Sequence, residues 1–343
     1  MKKLIALTLT LILAVFLFAS CTNTDEELPE NDPVDENVEK LPEEEPERLV
    51  AEVTRVTALK GPTGMGMAKM IKDADPKYNF EISAAPTDVQ AALISKLVDI
   101  AAIPTNVASV LYNKTEGGIK VLALNTEGVL YILDATDTIK SVEDLRGKTI
   151  GATGQGSTPE YILRFILQEN GIDPDNDVTL EFYTEHAELA TRMASGDVQI
   201  GMLPEPNVTT TLTKNDKLVK ALDLTEEWAK VAPESALVQG CIVARTEFIE
   251  QYPDTIKDFL AEYAASVGYI TTAEDAPEII AELGIVPAAP VAKAALPNCN
   301  ICYYDSTLGM SEKLTGFLEV LNSFNPKAIG GALPDSGLFY ENK

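Results

Sequence analysis

The stretch Gln199-Ile-Gly-Met-Leu-Pro-Glu-Pro206 has an earlier counterpart in Asp99-Ile-Ala-Ala-Ile-Pro-Thr-Asn106. Each is a short apolar run that ends at a proline, as a buried strand does when it enters a loop. Upstream of each stands a glycine-containing loop, Gly61–Gly66 in the first case and Gly154–Thr158 in the second. The same α/β unit therefore occurs twice, which predicts a pseudo-symmetric protein of two domains.

Strand-like and helix-like runs alternate in both units, and this order predicts two doubly wound α/β lobes. We predict a first lobe from residues 49–132 and 236–343 and a second lobe from residues 133–235. Two crossings of the chain, near residues 130–136 and 228–238, would form a two-segment hinge. The mostly helical C-terminal part is expected to pack onto the first lobe.

Composition limits the classes of protein that fit. A chain of 343 residues suits about two domains, and a hydrophobic content of 45% is enough for two cores. The net charge of −26 would repel nucleic acid and anionic lipid. We therefore predict no nucleic-acid partner.

The N-terminus has the pattern of an export signal over residues 1–20, with two lysines, an apolar run and a small-residue cleavage site. Leu17-Phe18-Ala19-Ser20-Cys21 resembles a bacterial lipobox, which implies lipidation of Cys21; Phe18 departs from the usual pattern. An ordinary secretory signal is the alternative. Residues 21–48 are acidic, rich in proline and poor in apolar residues, which predicts a disordered tether. The expected location is the extracytoplasmic face of the cell membrane.

Loops at the carboxyl ends of the predicted strands are the candidate binding site, because open α/β sheets bind ligands at that edge. Tight turns and helix N-caps remain open as alternative roles for these glycines and hydroxyls. Glu205 is either a ligand-facing carboxylate or a first-turn acid favoured by the helix dipole. The candidate ligand-binding residues are Thr63, Gly64, Met65, Pro104, Thr105, Asn106, Gly156, Ser157, Thr158 and Glu205.

Other residue types with chemical potential receive structural interpretations. Cys299 and Cys302 have no second pair, and His186 is the only histidine, so a zinc site is not expected. His186 is interpreted as a solvated first-turn residue, away from the cleft loops. Cys241 is interpreted as a core residue. The methionines Met65, Met67 and Met202 could line a cleft or fill the core. We expect no catalytic residue, cofactor or metal.

Ser141-Val-Glu-Asp-Leu-Arg-Gly-Lys-Thr-Ile-Gly151 resembles the entry to the second domain of periplasmic binding proteins, and Ser195-Gly-Asp-Val-Gln-Ile-Gly201, followed by Pro204, fits the same family. The chain resembles the nitrate, sulfonate, taurine and thiamine-pyrimidine-precursor branch of ABC-transporter substrate-binding proteins over residues 50–343. That resemblance implies a type II-like periplasmic binding fold, a closing hinge, no catalysis, and a membrane permease with its ATPase as partners. We expect a monomer.

The ligand and the role have several interpretations. The cleft loops carry no arginine, unlike the pattern expected of sulfonate and nitrate binders, and Glu205 would suit an amine or a ring N–H. A small nitrogenous solute or heterocycle is therefore predicted first and a taurine-like sulfonate second. The alternatives are a ligand sensor without transport and an enzyme like the pyrimidine-precursor synthase, which has the same fold. A cofactor absorbance band would indicate the enzyme, and a linked permease gene would indicate import.

Overall fold

The computed structural model describes residues 48–341, which form two β-sheets flanked by helices. The first sheet has the strand order β11-β4-β10-β3-β1-β2 and the second β7-β6-β8-β5-β9. The strands are β1 Thr54–Leu59, β2 Tyr78–Ser83, β3 Ile100–Pro104, β4 Ile119–Glu127, β5 Leu130–Asp134, β6 Thr149–Thr153, β7 Thr179–Tyr183, β8 Ile200–Pro204, β9 Val219–Asp223, β10 Val238–Arg245 and β11 Ile301–Tyr304. The predicted signal peptide, Cys21 and the tether up to Glu47 lie outside the described residues.

Thirteen α-helices cover the sheets within residues 48–341, and none of them is long and apolar enough to cross a membrane. They are α1 Pro62–Met65, α2 Ala68–Asp73, α3 Pro86–Ile94, α4 Thr105–Lys114, α5 Thr158–Glu169, α6 His186–Ser195, α7 Asn207–Lys214, α8 Leu224–Val231, α9 Thr246–Gln251, α10 Pro253–Thr272, α11 Ala276–Glu282, α12 Ala289–Ala295 and α13 Met310–Phe324. Short 3₁₀ turns cover Val142–Leu145, Leu296–Asn298, Pro326–Ile329 and Ser336–Leu338.

The two matched stretches form equivalent strands, β3 and β8. Each pairs in parallel with the strand that precedes its glycine loop, β1 in the first sheet and β6 in the second. Both strands are buried until the terminal proline, which is half-buried. Each sheet also contains an antiparallel strand beside this one, β10 in the first and β5 in the second. The predicted class, two doubly wound α/β lobes, is confirmed.

The chain passes between the sheets twice. The first crossing is Gly128-Val129, between β4 and β5, and the second is residues 232–237, between α8 and β10. Gln239 Oε1 accepts a hydrogen bond of 2.7 Å from the backbone N–H of Val129, which ties the first crossing to β10, the strand that follows the second crossing. Since the whole of β5 belongs to the second sheet, we propose a lobe boundary at residue 128 instead of residue 132.

The C-terminal helices divide between the lobes. Helices α10, α11 and α12 pack around Met65 and Ala68 on the first lobe. Helix α13 instead contacts α5, where the rings of Phe324 and Phe165 lie 5.9 Å apart, and its Phe317 ring lies 5.5 Å from Trp228 on α8. The expectation that the entire C-terminal part packs onto the first lobe was therefore wrong for α13, which covers both lobes at the second crossing.

Candidate functional site

The carboxyl ends of the parallel strands lie at one edge of each sheet, and the chain crosses between the sheets at the same edges. Glu127 at the end of β4 leads into the first crossing, and Leu130 at the start of β5 pairs with Pro204 at the end of β8. The loops after β1 and β3 and those after β6, β7 and β8 therefore face the region between the lobes. This is the edge at which open α/β sheets bind ligands.

The first glycine loop is held by packing and by several long-range hydrogen bonds, among them one of 2.6 Å from the Ser266 hydroxyl to the carbonyl oxygen of Gly66. A Cβ atom on Gly64 would lie 1.8 Å from the carbonyl oxygen of Leu59, so this turn excludes any side chain. The carbonyl oxygen of Thr63 accepts a hydrogen bond of 2.8 Å from Asn125 Nδ2 at the end of β4. Asn125 is buried, and sequence reasoning did not single it out.

The methionines do not line the cleft. Met65, Met67 and Met202 have no exposed surface, and each packs inside a different apolar cluster. Of the two roles that the sequence left open for these methionines, cleft lining and core filling, their burial supports core filling, and the buried side chain of Met65 leaves the candidate site. Only the backbone of this residue remains in the first glycine loop.

The polar residues after β3 bind other parts of the chain. Thr105 is buried, and its hydroxyl donates a hydrogen bond of 2.8 Å to the carbonyl oxygen of Val238 at the start of β10. Asn106 is half-buried, and its Nδ2 donates to the carbonyl oxygen of Ala328 at 3.4 Å. Helix α4 has no side-chain N-cap bond, and its cap position is Pro104. These groups therefore brace the cleft edge of the first lobe.

The second glycine loop leaves one hydroxyl without a partner. Glu160 accepts a hydrogen bond of 2.6 Å from the backbone N–H of Gly156 and also binds Arg164. The Ser157 hydroxyl donates to the carbonyl oxygen of Gly154 at 2.6 Å. The hydroxyl of Thr158, in the first turn of α5, is buried and has no hydrogen-bond partner within residues 48–341. A buried hydroxyl normally has a partner, so this position is a candidate contact for a ligand or a water molecule.

His186 lies at the cleft edge, contrary to its interpretation from sequence as a solvated residue. It is half-buried in the first turn of α6, and its Nδ1 lies 2.6 Å from the hydroxyl of Thr153 at the end of β6. Burial lowers the pKa of the imidazole against the opposing charge of Glu185, so the ring is neutral near pH 7. The sequence could have indicated this location, because His186 stands where a strand is followed by a helix. The glycine loops were selected for the same kind of position.

Glu205 lies two residues before the start of α7, outside its first turn, and its side chain caps the N-terminal end of that helix. Its carboxylate is buried and accepts hydrogen bonds from the N–H of Thr209 at 3.1 Å and from the Thr209 hydroxyl at 3.0 Å. Burial raises the pKa of this carboxyl, although the bonds from Thr209 and the charge of Lys220 oppose the shift. Both oxygens are therefore occupied by the protein's own donors.

We expect Glu205→Gln to leave the unfolding free energy at pH 7 unchanged or to raise it by up to about 1 kcal/mol, the scale of one hydrogen bond. A carboxyl with a raised pKa in the folded state stabilises the protein most below its unfolded pKa of about 4.3, and that stability is lost as the pH rises through the folded pKa. The amide removes this loss and can still accept from Thr209. Urea denaturation between pH 4 and pH 8 measures both effects.

Glu160→Gln is the contrasting variant, because it breaks the ion pair with Arg164 and should lower the unfolding free energy by about 1 kcal/mol. If Glu205→Gln destabilised the protein at pH 7 as much as Glu160→Gln does, the ionised Glu205 would be a net stabilising group, contrary to this assignment.

The cysteines form no disulfide in the described part of the chain. Cys241 and Cys299 are buried and Cys302 is half-buried, and burial raises the pKa of all three thiols. Residues 48–341 also contain no cluster of three or more His, Cys, Asp or Glu that could hold a metal ion. The interpretation of Cys241 as a core residue is confirmed.

Two α/β sheets joined by a double crossing, with polar loops at their adjoining edges, define a two-lobed solute-binding protein. The chain belongs to a family of ABC-transporter substrate-binding proteins, since residues 68–296 match the family model described as "ABC transporter, phosphonate, periplasmic substrate-binding protein". The family recognised from sequence motifs is thus confirmed at the level of periplasmic substrate-binding components of ABC transporters. The family model describes a transport protein.

Solved structures have the same fold. An ABC transporter protein from Parabacteroides distasonis is 25% identical, with a TM-score of 0.72 and coverage of 85% of this chain and 100% of that one. The aliphatic sulphonate binding protein SsuA from Escherichia coli is 17% identical, with a TM-score of 0.64 and coverage of 85% and 93%. A ligand-binding component of an import system from Staphylococcus aureus is 18% identical, with a TM-score of 0.62 and coverage of 85% and 97%. No curated protein sequence matches this chain.

Proposed function

We propose that this protein binds a small organic oxyanion, a phosphonate or a sulfonate, between its two lobes and delivers it to an ABC permease. The observation that carries the proposal is the buried, unpartnered hydroxyl of Thr158 at the start of α5. Helix N-termini favour anions because their first N–H groups have no partners within the helix. The second lobe presents α5 and α6 at the same edge, with Ser157 at the N-cap of α5 and His186 in the first turn of α6.

Neutral donors replace arginine in this scheme. Hydroxyl groups, backbone N–H groups and a neutral imidazole can each donate a hydrogen bond to an oxyanion, and such charge-assisted bonds are stronger than bonds between neutral groups. The family model describes phosphonate binders, and the E. coli relative is named for aliphatic sulphonates. The sequence-based prediction of a nitrogenous solute depended on a cleft-facing Glu205 and on the absence of arginine from the cleft loops. The carboxylate of Glu205 is engaged by Thr209.

We further propose that Cys21 carries the lipid anchor and that the acidic tether holds a monomeric binding domain at the outer face of the membrane. A permease and its ATPase would complete the importer. A sensor that presents the same solute to a membrane receptor is the second candidate, and disruption of a linked permease gene would separate the two. Uptake of the solute would stop in an importer and would continue in a sensor.

Thermal-shift measurements on the purified protein test the ligand class. We expect stabilisation by methylphosphonate or methanesulfonate and none by thiamine, adenine or putrescine. A solute at about 100 times its dissociation constant should add about 2.7 kcal/mol. Thr158→Val should weaken binding about 10-fold or more, because it removes a donor to a charged group.

Thr191→Val is the matched control, since Thr191 is exposed on α6 and its hydroxyl donates to the carbonyl oxygen of Ala187. Binding should be unchanged in this variant. A shift only with the amines and heterocycles that disappears in Glu205→Gln would contradict the oxyanion proposal and restore Glu205 as the specificity determinant.

A further inference from the structure

The segment Ala289–Asn300, called the strap below, connects the lobes beside the first crossing. Its helix α12 is anchored on the first lobe, where Ala292 and Ala295 are fully buried against the cluster that contains Met65. The same helix also contacts α7 of the second lobe. The strap is therefore an element of the first lobe that reaches the second.

Asn298 makes the polar contacts of the strap with the second lobe. Its carbonyl oxygen accepts a hydrogen bond of 2.8 Å from the Tyr131 hydroxyl, and its Oδ1 accepts one of 2.7 Å from Lys220 Nζ. Lys220 Nζ also lies 4.5 Å from the centre of the Tyr131 ring, within the range of a cation–π contact. Tyr131 lies on β5 and Lys220 on the adjacent β9, so both donors come from one side of the second sheet.

The C-terminal end of the strap is fixed to the first lobe and to the crossing. The carbonyl oxygen of Asn300 accepts from the N–H of Glu127 at 3.0 Å, and Asn300 Nδ2 donates to the carbonyl oxygen of Gly128 at 2.6 Å. Since Glu127 is the last residue of β4, the strap moves with the first lobe when the hinge bends. The contacts of Asn298 with Tyr131 and Lys220 must then form or break as the lobes rotate.

We propose that Tyr131, Lys220 and Asn298 form a closure latch, which stabilises the lobe arrangement of this structure against a more open one. The role as a latch rests on the proposed function, because closure on a solute is what the latch would favour. A hydrogen bond between uncharged groups, such as that of the Tyr131 hydroxyl, shifts the equilibrium between the two lobe arrangements about two- to tenfold. A bond from the charged ammonium of Lys220 is stronger in a buried site, but the exposure of Lys220 brings its effect down to a similar size.

Pulsed electron paramagnetic resonance between two spin labels tests the latch without any solute. Labels at Lys114→Cys on α4 and Thr191→Cys on α6, in the mature chain carrying Cys21→Ser, report the distance between the lobes. We expect the wild-type latch to show a population at the label distance of this structure. Tyr131→Phe and Lys220→Met should each lower, by two- to tenfold, the ratio of the population at this label distance to the population at all other label distances.

Lys217→Met is the matched control, since Lys217 is exposed three residues before Lys220. It should leave the distance distribution unchanged. An unchanged distribution in both latch variants, or a wild-type protein without this population, overturns the proposal. A lower urea midpoint in Tyr131→Phe with an unchanged distribution would also overturn it, because that result indicates a purely structural contact. Failure of both methylphosphonate and methanesulfonate to bind would contradict the proposed function and leave this result intact.

Discussion

Gly64→Ala should lower the unfolding free energy by about 3 kcal/mol or more, enough to reduce the amount of folded protein substantially. The added Cβ would lie 1.8 Å from the carbonyl oxygen of Leu59 and 3.0 Å from its carbonyl carbon. Both are backbone atoms at the end of β1, so no side-chain rotation can relieve the overlap. Relief requires a shift of α1, which would also disturb the hydrogen bond between Asn125 and Thr63.

Gly268→Ala is the control for the chemistry of this substitution. A Cβ at Gly268, inside α10, meets no atom within 4 Å, so the change should stabilise the protein by about 0.5–1 kcal/mol through helix propensity. Urea denaturation of both variants measures the contrast. Similar unfolding free energies for the two variants would mean that the β1–α1 turn relaxes at little cost, and steric packing would then not explain the glycine.

The repeat in the sequence determined most of the fold because it reports backbone topology. An apolar run that ends at a proline and a glycine loop before a helix are local signals, and both copies formed the expected strands and turns. No local pattern of this kind indicates which lobe α13 packs against. Its apolar spacing predicts a buried face, but only the tertiary contact between Phe317 and Trp228 shows that this face meets the second lobe.

The candidate site was predicted at the level of loops and not at the level of atoms. The sequence placed hydroxyl and amide groups beyond the buried strands, and their role as ligand contacts stays a prediction. Their partners were not predictable, because Thr105 binds Val238 and Asn125 binds Thr63, residues far apart in sequence. The prediction for His186 was wrong because its exposure was judged from the sequence of its own helix alone. The contact that places His186 at the cleft edge is a hydrogen bond with Thr153 at the end of β6.

The second large effect concerns Asp99, the first residue of the earlier matched stretch. Asp99 is buried and accepts hydrogen bonds from the backbone N–H of Arg55 at 3.0 Å, from Arg55 Nε at 2.8 Å and from Arg245 Nη2 at 2.7 Å. The two arginines lie on β1 and β10, on either side of β3. This carboxylate therefore joins three strands at the sheet edge opposite the cleft.

Asp99→Asn should lower the unfolding free energy at pH 7 by about 3 kcal/mol, because removal of one partner leaves the largely buried guanidinium of Arg245 without its main counter-charge. Burial opposes ionisation of Asp99, but the hydrogen bonds from Arg55 and Arg245 outweigh it and hold the pKa of the carboxyl below its usual range. The stability that this group contributes is therefore present above its unfolded pKa of about 3.9 and is lost as the pH falls through the lower folded pKa.

Urea denaturation at pH 7 and at pH 3, with the exposed Asp216→Asn as control, separates this effect from a general loss of acidic charge. The deficit of Asp99→Asn should shrink at pH 3, where wild-type Asp99 begins to lose its advantage, and Asp216→Asn should be close to wild type at both pH values. A deficit of equal size at both would assign it to packing of the side chain and not to its charge. Since Asp99 lies at the edge opposite the cleft, the affinity of the folded variant for a solute should stay at the wild-type value.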